Sequence, residues 1–315
     1  MKMTELLEQI KSYETIIIHG HKRPDGDCYG GQFGLKSIIK ENFPKKQVYV
    51  VGGVSGYVSY VGTPDDIADD VYRGALVIVV DTATSDRISD PRYTLGDKII
   101  KIDHHIDVDA YGDLNFVDTS FPAVSETITS FAVMNNLIIG IEGAIALYTG
   151  ILTDTGRFRY RGVSQRTHQM AGHLVSLGVD VEYIDQKLST ETLDAVALKG
   201  YVYSNFETTE GGFIYLKMPT EVIEKYGVTR ETAASMVNLI GGIEGYPVWA
   251  LFIEYDNEIR VRLRSNGPTI NEVAGKFSGG GHAKAAGATI EKWSDIDGFT
   301  KEVEKVIKAY REELK

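Results

Sequence analysis

The stretch Lys98-Ile-Ile-Lys-Ile102 is followed directly by Asp103-His104-His105. Its apolar, β-branched residues predict a buried strand, and the acid and the two histidines then lie at the carboxyl end of that strand. Other apolar runs in the first half of the chain also lead into acids or histidines, namely His21, Asp25, Asp27, Asp81 and Asp154. In parallel α/β sheets the active site lies at the carboxyl ends of the strands. The pattern therefore predicts a polar site at one edge of such a sheet.

The first half of the chain alternates short β-branched runs with amphipathic stretches. The runs predict strands over residues 15–19, 47–51, 75–80 and 98–102. The amphipathic stretches predict helices over residues 30–41, 125–135, 142–152 and 165–177. This alternation implies crossover connections, and hence an α/β fold with a mainly parallel sheet flanked by helices.

From about residue 180 the pattern changes. Residues 181–199 predict a polar helical connector. Beyond it, strands are predicted over 212–218, 247–254 and 258–264, and helices over 220–226, 229–240 and 294–313. This second part is therefore expected to be a smaller α+β domain. We predict a catalytic domain over residues 1–185, a helical linker over 186–205 and a substrate-binding domain over 206–315.

Composition restricts the classes of partner. The net charge of −11 argues against binding of duplex DNA, which requires a broad basic surface, but a small phosphorylated ligand could still be held by metals and a few arginines. There is no run of about 18 apolar residues, so neither a transmembrane helix nor a membrane partner is expected. The first residues do not resemble a signal peptide, and the single Cys28 cannot form an internal disulfide. We therefore expect a cytoplasmic protein.

A metal site is predicted on the loop that carries His21, Asp25 and Asp27. Pro24 and Gly26 favour a tight turn there, and residues two apart on an extended segment point the same way. Carboxylates held this close repel one another unless a cation neutralises them. A set of Asp and His without thiolates favours Mn²⁺, or another borderline-to-hard divalent ion, over structural zinc.

Each acid taken alone also has a simpler interpretation. Asp81 could cap a following helix, and Asp154 could be a turn residue. The joint occurrence of acids and histidines at element ends instead favours a pair of metal ions about 3.5–4 Å apart, with Asp81 bridging them. Several other polar residues are expected to lie in the core, on the surface or in solvated loops: His19, His168, His173, Asp107 and Asp109.

These residues resemble the motifs of the DHH phosphoesterase family, and more closely its DHH–DHHA1 subgroup of oligoribonuclease/3′-phosphoadenosine-5′-phosphate (pAp) phosphatases, often called nanoRNases. The resemblance covers essentially the whole chain. The first motif is similar to His21-Lys-Arg-Pro-Asp25-Gly-Asp27-Cys-Tyr-Gly30. The other three correspond to Val-Ile-Val-Val-Asp81-Thr-Ala, Asp103-His104-His105 and Thr-Asp154-Thr-Gly-Arg157-Phe.

The resemblance implies two bound metal ions, most simply Mn²⁺, with Mg²⁺ or Co²⁺ as alternatives. One ion would be held by His21, Asp25 and Asp81. The second would be held by Asp27, Asp81, His104 and Asp154. The family usually has Ala and Ser where this chain has Cys28 and Gly31, and neither position is expected to supply a ligand.

Three further residues would support catalysis by the same resemblance. His105 would lie beside the substrate phosphate, and either it or Arg157 would stabilise the developing charge. Asp103 would orient the histidines. The loop after the histidines reads Ile106-Asp107, where relatives often have Pro-Asn, and this departure bears on substrate preference.

A second candidate site lies in the second domain. In Arg260-Val-Arg262-Leu-Arg264-Ser265 the arginines share one face of a strand and could bind phosphate or carboxylate; the alternative is the solvated face of an edge strand. The run from Gly279 to His282 could form an anion-binding nest of amides or a flexible turn. It resembles the signature of the DHHA1 domain, which implies substrate contacts from Arg262, Arg264, Ser265, Gly279, Gly280, Gly281 and His282.

The resemblance implies a bifunctional enzyme. It would hydrolyse short oligoribonucleotides to mononucleotides and pAp to AMP. A cyclic-di-AMP or pApA phosphodiesterase of the same family, and a non-catalytic nucleotide sensor, remain as alternatives. A DHH-type inorganic pyrophosphatase is disfavoured, because its Ser-Arg-Lys-Lys-Gln run is not present. A homodimer is expected by family analogy alone.

Overall fold

The computed structural model describes residues 3–160 and 162–314, and these divide into two compact units, residues 1–190 and 191–315. The first unit contains a five-stranded parallel sheet with the order β2-β1-β3-β4-β5. Its strands are β1 (Thr15–His19), β2 (Gln47–Val50), β3 (Leu76–Val80), β4 (Lys98–Asp103) and β5 (Leu114–Val117). The predicted α/β fold with a mainly parallel sheet is confirmed.

Six helices belong to this unit. They are α1 (Met3–Ser12), α2 (Gly26–Asn42), α3 (Val124–Met134), α4 (Ile141–Asp154), α5 (Gln165–Ser176) and α6 (Val181–Ser189). The helix predicted over 30–41 begins four residues earlier, because the Asp25 carboxylate accepts hydrogen bonds from the backbone amides of Asp27 and Cys28 and so caps the first turn.

The sheet is buried on both faces, as its uninterrupted apolar strands predict. On one face Ile16, Ile18 and Ile78 pack with residues of the helices. On the other face Ile17 and Val77 pack against apolar residues of the surrounding loops. Side chains alternate between these two cores along each strand, so the strands are fixed in register and their carboxyl ends meet at one edge.

Helices α2 and α4 run antiparallel and approach each other closely. A Cβ placed on Gly30 of α2 would lie only 2.5 Å from the carbonyl oxygen of Ala146 in α4. A Cβ on Gly143, near the start of α4, would lie 2.7 Å from Oγ of Ser37, further along α2. The amino-terminal end of α2, with Asp27, therefore lies beside the carboxyl-terminal end of α4, with Asp154.

The second unit contains a six-stranded mixed sheet with the order β10-β11-β9-β8-β7-β6. Only β7 and β8 pair in parallel. The strands are β6 (Glu207–Thr208), β7 (Phe213–Met218), β8 (Val248–Tyr255), β9 (Glu258–Ser265), β10 (Gly280–His282) and β11 (Ala285–Ile290). The helices are α7 (Leu193–Asn205), α8 (Thr220–Lys225), α9 (Arg230–Ser235), α10 (Asn271–Lys276) and α11 (Ile296–Glu313).

The continuous helix predicted over 181–199 was wrong. Helix α6 ends at Ser189 and α7 begins at Leu193, where the Thr192 side chain accepts a hydrogen bond from the backbone amide of Ala195 and caps the new helix. Leu198 and Val202 of α7 pack into the core of the second unit, so this helix is part of that unit's core. Within the described residues, no helix is both long and apolar enough to cross a membrane.

Candidate metal centre

Three adjacent strands bring most of the predicted ligands to one edge of the first sheet. Strands β1, β3 and β4 are neighbours in the order β1-β3-β4. His21 follows β1, Asp81 directly follows β3, and His104 directly follows β4. The backbone of Asp81 turns sharply there, with φ at +51°, while its amide donates a 3.0 Å hydrogen bond to the carbonyl of Ile102. This turn places the Asp81 side chain between the ends of the neighbouring strands.

The first half of the centre is formed by His21, Asp25 and Asp81. Nε2 of His21 lies 3.4 Å from Oδ2 of Asp81 and 3.7 Å from Oδ2 of Asp25. Nδ1 of His21 lies 2.8 Å from the carbonyl oxygen of Lys22, so Nδ1 donates a proton there. That hydrogen bond leaves the Nε2 lone pair for a ligand, which is the usual arrangement of a metal-binding histidine.

The second half is formed around His104. Its Nε2 lies 3.3 Å from Oδ1 of Asp81, 3.3 Å from Oδ2 of Asp154 and 3.8 Å from Oδ2 of Asp27. Its Nδ1 lies 3.2 Å from the carbonyl oxygen of Phe121, which accepts the ring proton. Asp81 thus directs Oδ2 toward one histidine and Oδ1 toward the other, which is the position required of a carboxylate that bridges two ions.

The residues present fit a divalent cation. Oδ1 of Asp81 and Nε2 of His104 are buried and have no hydrogen-bond partner among the described residues. Buried polar atoms without a partner are costly, and a cation between them would satisfy both. Imidazole nitrogens and carboxylate oxygens are suitable donors for ions such as Mn²⁺ or Zn²⁺. Three groups of side chains are close enough to hold a metal: His21 with Cys28 and Asp81, Asp81 with His104 and His105, and Asp27 with His104 and Asp154.

The pKa values of the acids also show that the centre favours bound positive charge. Burial, together with the charge of Asp81, raises the pKa of Asp27 to about 7. Burial and the charges of Asp27 and Asp81 raise the pKa of Asp154 to about 9. Burial alone would lower the pKa of His104, but Asp81 and Asp27 raise it to about 10. Without a metal, protons must therefore neutralise part of this cluster.

Asp27 is held by the start of helix α3. Its Oδ2 accepts a 2.5 Å hydrogen bond from the backbone amide of Val124, and its Oδ1 accepts one of 2.9 Å from the amide of Ser125. The first amides of a helix have no partner within the helix and favour negative charge. This contact fixes the orientation of a carboxylate that has no exposed surface.

Asp103 supports both histidines from behind, as the resemblance implies. Its Oδ1 accepts hydrogen bonds from the backbone amides of His104 and His105, at 2.8 and 3.2 Å, and from Nδ1 of His105 at 2.8 Å. Burial alone would raise the pKa of Asp103, but the bond from His105 and the nearby charge of Lys101 hold it below its usual range.

Lys101 was not singled out in the sequence, although a charged residue within an apolar strand run is a visible signal. It is fully buried, and its Nζ donates to the carbonyl oxygens of Ala83 and Asp109 at 3.0 and 2.9 Å. It also lies 3.3 Å from Oδ1 of Asp107 and 3.6 Å from Oδ2 of Asp103. Lys101 therefore fixes the loop beneath the histidine pair.

Cys28 was expected to have no part in the centre, yet its thiol lies with His21 and Asp81 in one of the three candidate groups. Burial raises the pKa of this thiol to about 11, so it is uncharged in the metal-free protein. The sequence signal was its position directly after Asp27.

Arg157 is not brought to this centre. Its Nε lies 3.0 Å from Oδ1 of Asp185, and its terminal nitrogen donates a 2.6 Å hydrogen bond to Oγ of Ser189. Both partners belong to helix α6. The guanidinium thus stabilises the contact between α6 and the end of α4, and the structure gives no support to its predicted catalytic role.

Among the residues expected to lie outside the site, His19 is fully buried, as expected. The ring of His168 stacks on Phe158, with 5.2 Å between centroids. Asp107 and Asp109 are more than solvated loop acids, because Asp107 pairs with Lys101 and Asp109 accepts hydrogen bonds from the amide and hydroxyl of Ser85 at 2.8 and 2.7 Å.

In the second unit, the arginine strand faces the glycine run across one sheet. Arg262 pairs with Gly287 of β11, and Gly287 pairs with Gly280 of β10. Arg264 and His282 pair in the same way with Ala285. Directly paired residues point to the same side of a sheet, so both arginines, Gly280 and His282 share one face.

This face suits a ligand with an anionic group. Among the described residues, no atom outside the chain neighbours of Gly280 lies within 4 Å of a Cβ placed there, so there is open space on this face at Gly280. The edge strands of this sheet are β10 and β6, whereas β9 lies in the interior, so the edge-strand alternative for the arginines was wrong. Gly279 requires the absence of a side chain, since a Cβ there would lie 2.0 Å from the carbonyl oxygen of Gly287.

Ser265 does not reach this face. It is the residue after Arg264 on the strand, so its side chain points to the opposite side, where it is buried. Its hydroxyl donates a 2.7 Å hydrogen bond to the carbonyl of Pro268 and accepts one of 3.0 Å from the amide of Gly267. It stabilises a turn, and the structure gives no support to its predicted substrate contact.

Comparison with known proteins agrees with this geometry. Residues 15–151 match the DHH family, N-terminal domain, and residues 210–309 match the DHHA1 domain. The chain is 39% identical over 310 residues to the bifunctional oligoribonuclease and PAP phosphatase NrnA of Bacillus subtilis, covering 98% of this chain and 99% of that protein. The chain belongs to the DHH family.

Two further comparisons extend over nearly the whole length of the chain. The chain is 40% identical over 304 residues to the probable bifunctional oligoribonuclease and PAP phosphatase NrnA of Streptococcus mutans, covering 96% of this chain and 98% of that protein. It shares its fold with the crystal structure of an exopolyphosphatase-related protein from Bacteroides fragilis, with a TM-score of 0.84 and 24% identity, covering 99% of this chain and 97% of that one.

Proposed function

We propose that this protein is a metal-dependent phosphoesterase that hydrolyses short oligoribonucleotides to mononucleotides and pAp to AMP. The single observation that carries the proposal is the placement of His104 between Asp81 and Asp154, with Asp81 facing His21 on its other side. The Bacillus subtilis and Streptococcus mutans relatives are described by name with this pair of activities and match nearly the full length of the chain.

We propose Mn²⁺ as the metal, at two positions. His21, Asp25 and Asp81 would hold one ion, and Asp27, Asp81, His104 and Asp154 would hold the other. When bound, two divalent ions neutralise the charge on a phosphoryl group and supply a nucleophilic water at neutral pH. The carboxylates of this chain fix the positions of the ions, because Asp25 and Asp27 are each held by backbone amides.

His105 is suited to act on the leaving group. About half of its side chain is exposed, at 47%, and its Nδ1 proton is held by Oδ1 of Asp103 at 2.8 Å. The other ring nitrogen takes no part in that bond, so when the ring holds a second proton, this nitrogen can donate it to the departing oxygen. The buried Asp103 stabilises the charged ring, and Lys101 in turn holds Asp103.

We propose that residues 206–315 bind the end of the nucleotide away from the scissile bond. The support is the face shared by Arg262, Arg264, Gly280 and His282, which combines positive charge suited to a phosphate with open space at Gly280. We also propose that the protein is cytoplasmic and that it works as a homodimer. Light scattering of the purified protein would test the homodimer.

The test is hydrolysis with Mn²⁺ of four substrates side by side: a ribodinucleotide, pAp, cyclic-di-AMP and pyrophosphate. Mononucleotides from the first and phosphate from pAp, with the other two intact, are expected. Turnover of cyclic-di-AMP alone would assign the same centre to the cyclic-dinucleotide alternative. Absence of turnover with all four, while the protein still binds Mn²⁺ and nucleotide, would favour a sensor and contradict the proposed activity.

A further inference from the structure

We propose that Arg87 is the arginine that contacts the reacting phosphate. This inference rests on the proposed function and names a residue for the charge-stabilising role that the sequence resemblance gave to Arg157 or His105. Three observations support it: Arg87 lines the cavity at the metal centre, backbone contacts fix its position, and its side chain has no partner among the described residues.

Arg87 lines the small cavity that opens onto the metal centre. The other residues around this cavity are His21, Asp25, Asp81, Ala83, His105 and Asp154. Among the residues that the structure describes, no other arginine or lysine lines it. A phosphate that enters the cavity to reach the metal ligands must therefore come within reach of the Arg87 guanidinium.

The backbone of Arg87 is anchored directly to the first metal-binding loop. The amide of Lys22 donates a 2.7 Å hydrogen bond to the Arg87 carbonyl, and the amide of Ser89 donates one of 3.0 Å to the carbonyl of Gly20. Between them His21 and Ile88 form an antiparallel bridge. The position of Arg87 relative to His21 is thus set by main-chain contacts and requires nothing from the arginine side chain.

The turn that precedes Arg87 is fixed as well. Residues Ser85–Arg87 form one turn of 3₁₀ helix, and Oδ2 of Asp109 accepts hydrogen bonds from both the amide and the hydroxyl of Ser85. The backbone carbonyl oxygen of Asp109 in turn accepts a hydrogen bond from the buried Lys101. Arg87 is therefore attached both to the His21 loop and to the loop that follows the histidine pair.

The guanidinium itself is available for a ligand. Within residues 3–160 and 162–314, the Arg87 side chain has no hydrogen bond, ion pair or ring contact, and it is exposed. Arg157, by contrast, is bound to Asp185 and Ser189. A guanidinium stays charged at all working pH values and presents a planar set of donors that matches two phosphate oxygens.

The reaction places charge where Arg87 can reach it. Hydrolysis of a phosphate ester spreads negative charge over the non-bridging oxygens, and preorganised donors directed at those oxygens lower the barrier. Arg87 lines the cavity together with the metal ligands His21, Asp25, Asp81 and Asp154. Its donors would complete the charge neutralisation of a phosphate held at the centre.

The test compares R87A, R87K, R157A and R73A in steady-state hydrolysis of pAp with Mn²⁺. Arg73 is a matched control, since it is an exposed arginine before β3, at the opposite end of that strand from Asp81. R87A should lose about 100-fold or more in kcat, the usual effect of removing one such donor, with Mn²⁺ binding and thermal stability unchanged. The loss of kcat should be smaller for R87K than for R87A, and it should also be smaller for R157A. The kcat of R73A should equal that of the wild type.

Two readouts separate a direct contact from a merely structural role. Guanidinium chloride at low concentration should partly restore the activity of R87A and should leave R157A unaffected. Inorganic phosphate should bind the Mn²⁺-loaded wild type more tightly than R87A, as measured by calorimetry. Near-wild-type kcat in R87A, or equal phosphate affinity in the two proteins, would overturn the inference.

These readouts also distinguish failure of the inference from failure of the proposed function. If the wild type did not hydrolyse pAp, the proposed function would be contradicted, and the phosphate titration of wild type and R87A would still decide the role of Arg87. If the wild type were active and R87A equally active, only the inference would fail.

Discussion

Oδ1 of Asp81 lies 3.3 Å from Nε2 of His104, and neither buried atom has a hydrogen-bond partner within the described residues. Both atoms need either a bound cation or a proton on His104, whose pKa Asp81 and Asp27 raise to about 10 against the effect of burial. The charge of Asp81 also raises the pKa values of Asp27 and Asp154. The clustered acids therefore destabilise the metal-free protein, and the same acids form a binding site for cations.

The first prediction concerns the charge of Asp81, which affects both stability and cation binding. Asp81→Asn should lower hydrolysis by more than about 100-fold, because even loss of a residue that only supports a ligand costs 10–100-fold. Measured in the presence of a chelator, its free energy of unfolding should change little, because the lost repulsion from Asp27 and Asp154 offsets the lost attraction to His21 and His104. Asparagine is chosen because it tolerates the positive φ of this position, whereas most other residues do not.

The control for this variant is Asp70→Asn, an exposed acid with the same change of charge. It should alter neither activity nor stability. Urea unfolding and Mn²⁺ titration of both variants are the measurements. An Asp81→Asn protein that binds Mn²⁺ as well as the wild type would remove Asp81 from the proposed bridging position.

The second prediction concerns the pH dependence of metal binding. Burial and neighbouring acids raise the pKa of Asp27 to about 7 and that of Asp154 to about 9, so the free centre holds protons that a metal must displace. His104, whose pKa is raised to about 10, must also lose its proton, so affinity for Mn²⁺ should rise with pH up to about 10, with net release of protons. Calorimetry in two buffers of different ionisation enthalpy measures that release. A pH-independent affinity between about pH 6 and 8 would contradict the raised pKa values.

The third prediction tests the close approach of α2 and α4. Gly30→Ala should destabilise the protein by about 1–3 kcal/mol, because the new methyl group would lie 2.5 Å from the Ala146 carbonyl oxygen and force the helices apart. Gly172→Ala is the matched control, since Gly172 lies in helix α5 with no atom within 4 Å of the added carbon. It should stabilise the protein by up to about 1 kcal/mol through helix propensity.

The same variants link the packing of the helices to the site. Separation of α2 from α4 would move Asp27 away from Asp154, so Gly30→Ala should also weaken Mn²⁺ binding. Gly172→Ala should leave it unchanged. Urea unfolding and Mn²⁺ titration are again the measurements. Equal stability and equal Mn²⁺ affinity of the two variants would show that Gly30 is not required for the packing of α2 against α4.

Much of the first unit could be predicted from the sequence, because its strands are buried on both faces and appear as uninterrupted apolar runs. Strand β4 with Asp103, His104 and His105 is the clearest case. Strand β5 was missed, since its four residues are mostly half-buried and follow no clear alternation. Strand β11 was missed because it consists largely of Ala and Gly, which give little strand signal.

The candidate site was predictable to the extent that its residues follow strand ends. Arg87 was missed because its position depends on a backbone bridge between residues distant in sequence, His21 and Ile88, which no local pattern reveals. The ion pair of Arg157 with Asp185 is equally invisible in the sequence, and the catalytic role predicted for Arg157 stays a prediction. Ser265 differs, since strict alternation along β9 would have placed it on the face opposite Arg264.

The last prediction concerns stability in acid. His19 is fully buried, its Nδ1 has no hydrogen-bond partner among the described residues, and its Nε2 lies 3.2 Å from the Tyr72 hydroxyl. Burial lowers its pKa from 6.5 to about 4. The unfolded chain therefore binds a proton between about pH 6.5 and pH 4 that the folded protein does not. Stability should fall with decreasing pH across that window, by about 3 kcal/mol in total from this residue.

His19→Gln removes this ionisation and keeps a polar side chain of similar size. The free energy of unfolding, measured with urea at a series of pH values in the presence of a chelator, should decline less steeply for the variant between about pH 6.5 and 4. His173→Gln is the control, because His173 is an exposed histidine on α5 and its replacement should leave the slope unchanged. If the plots of unfolding free energy against pH were parallel for His19→Gln and the wild type, the prediction would be wrong. Only a lowered pKa of His19 in the folded protein makes the two slopes differ, so parallel plots would mean that the folded protein accepts a proton on His19 without loss of stability.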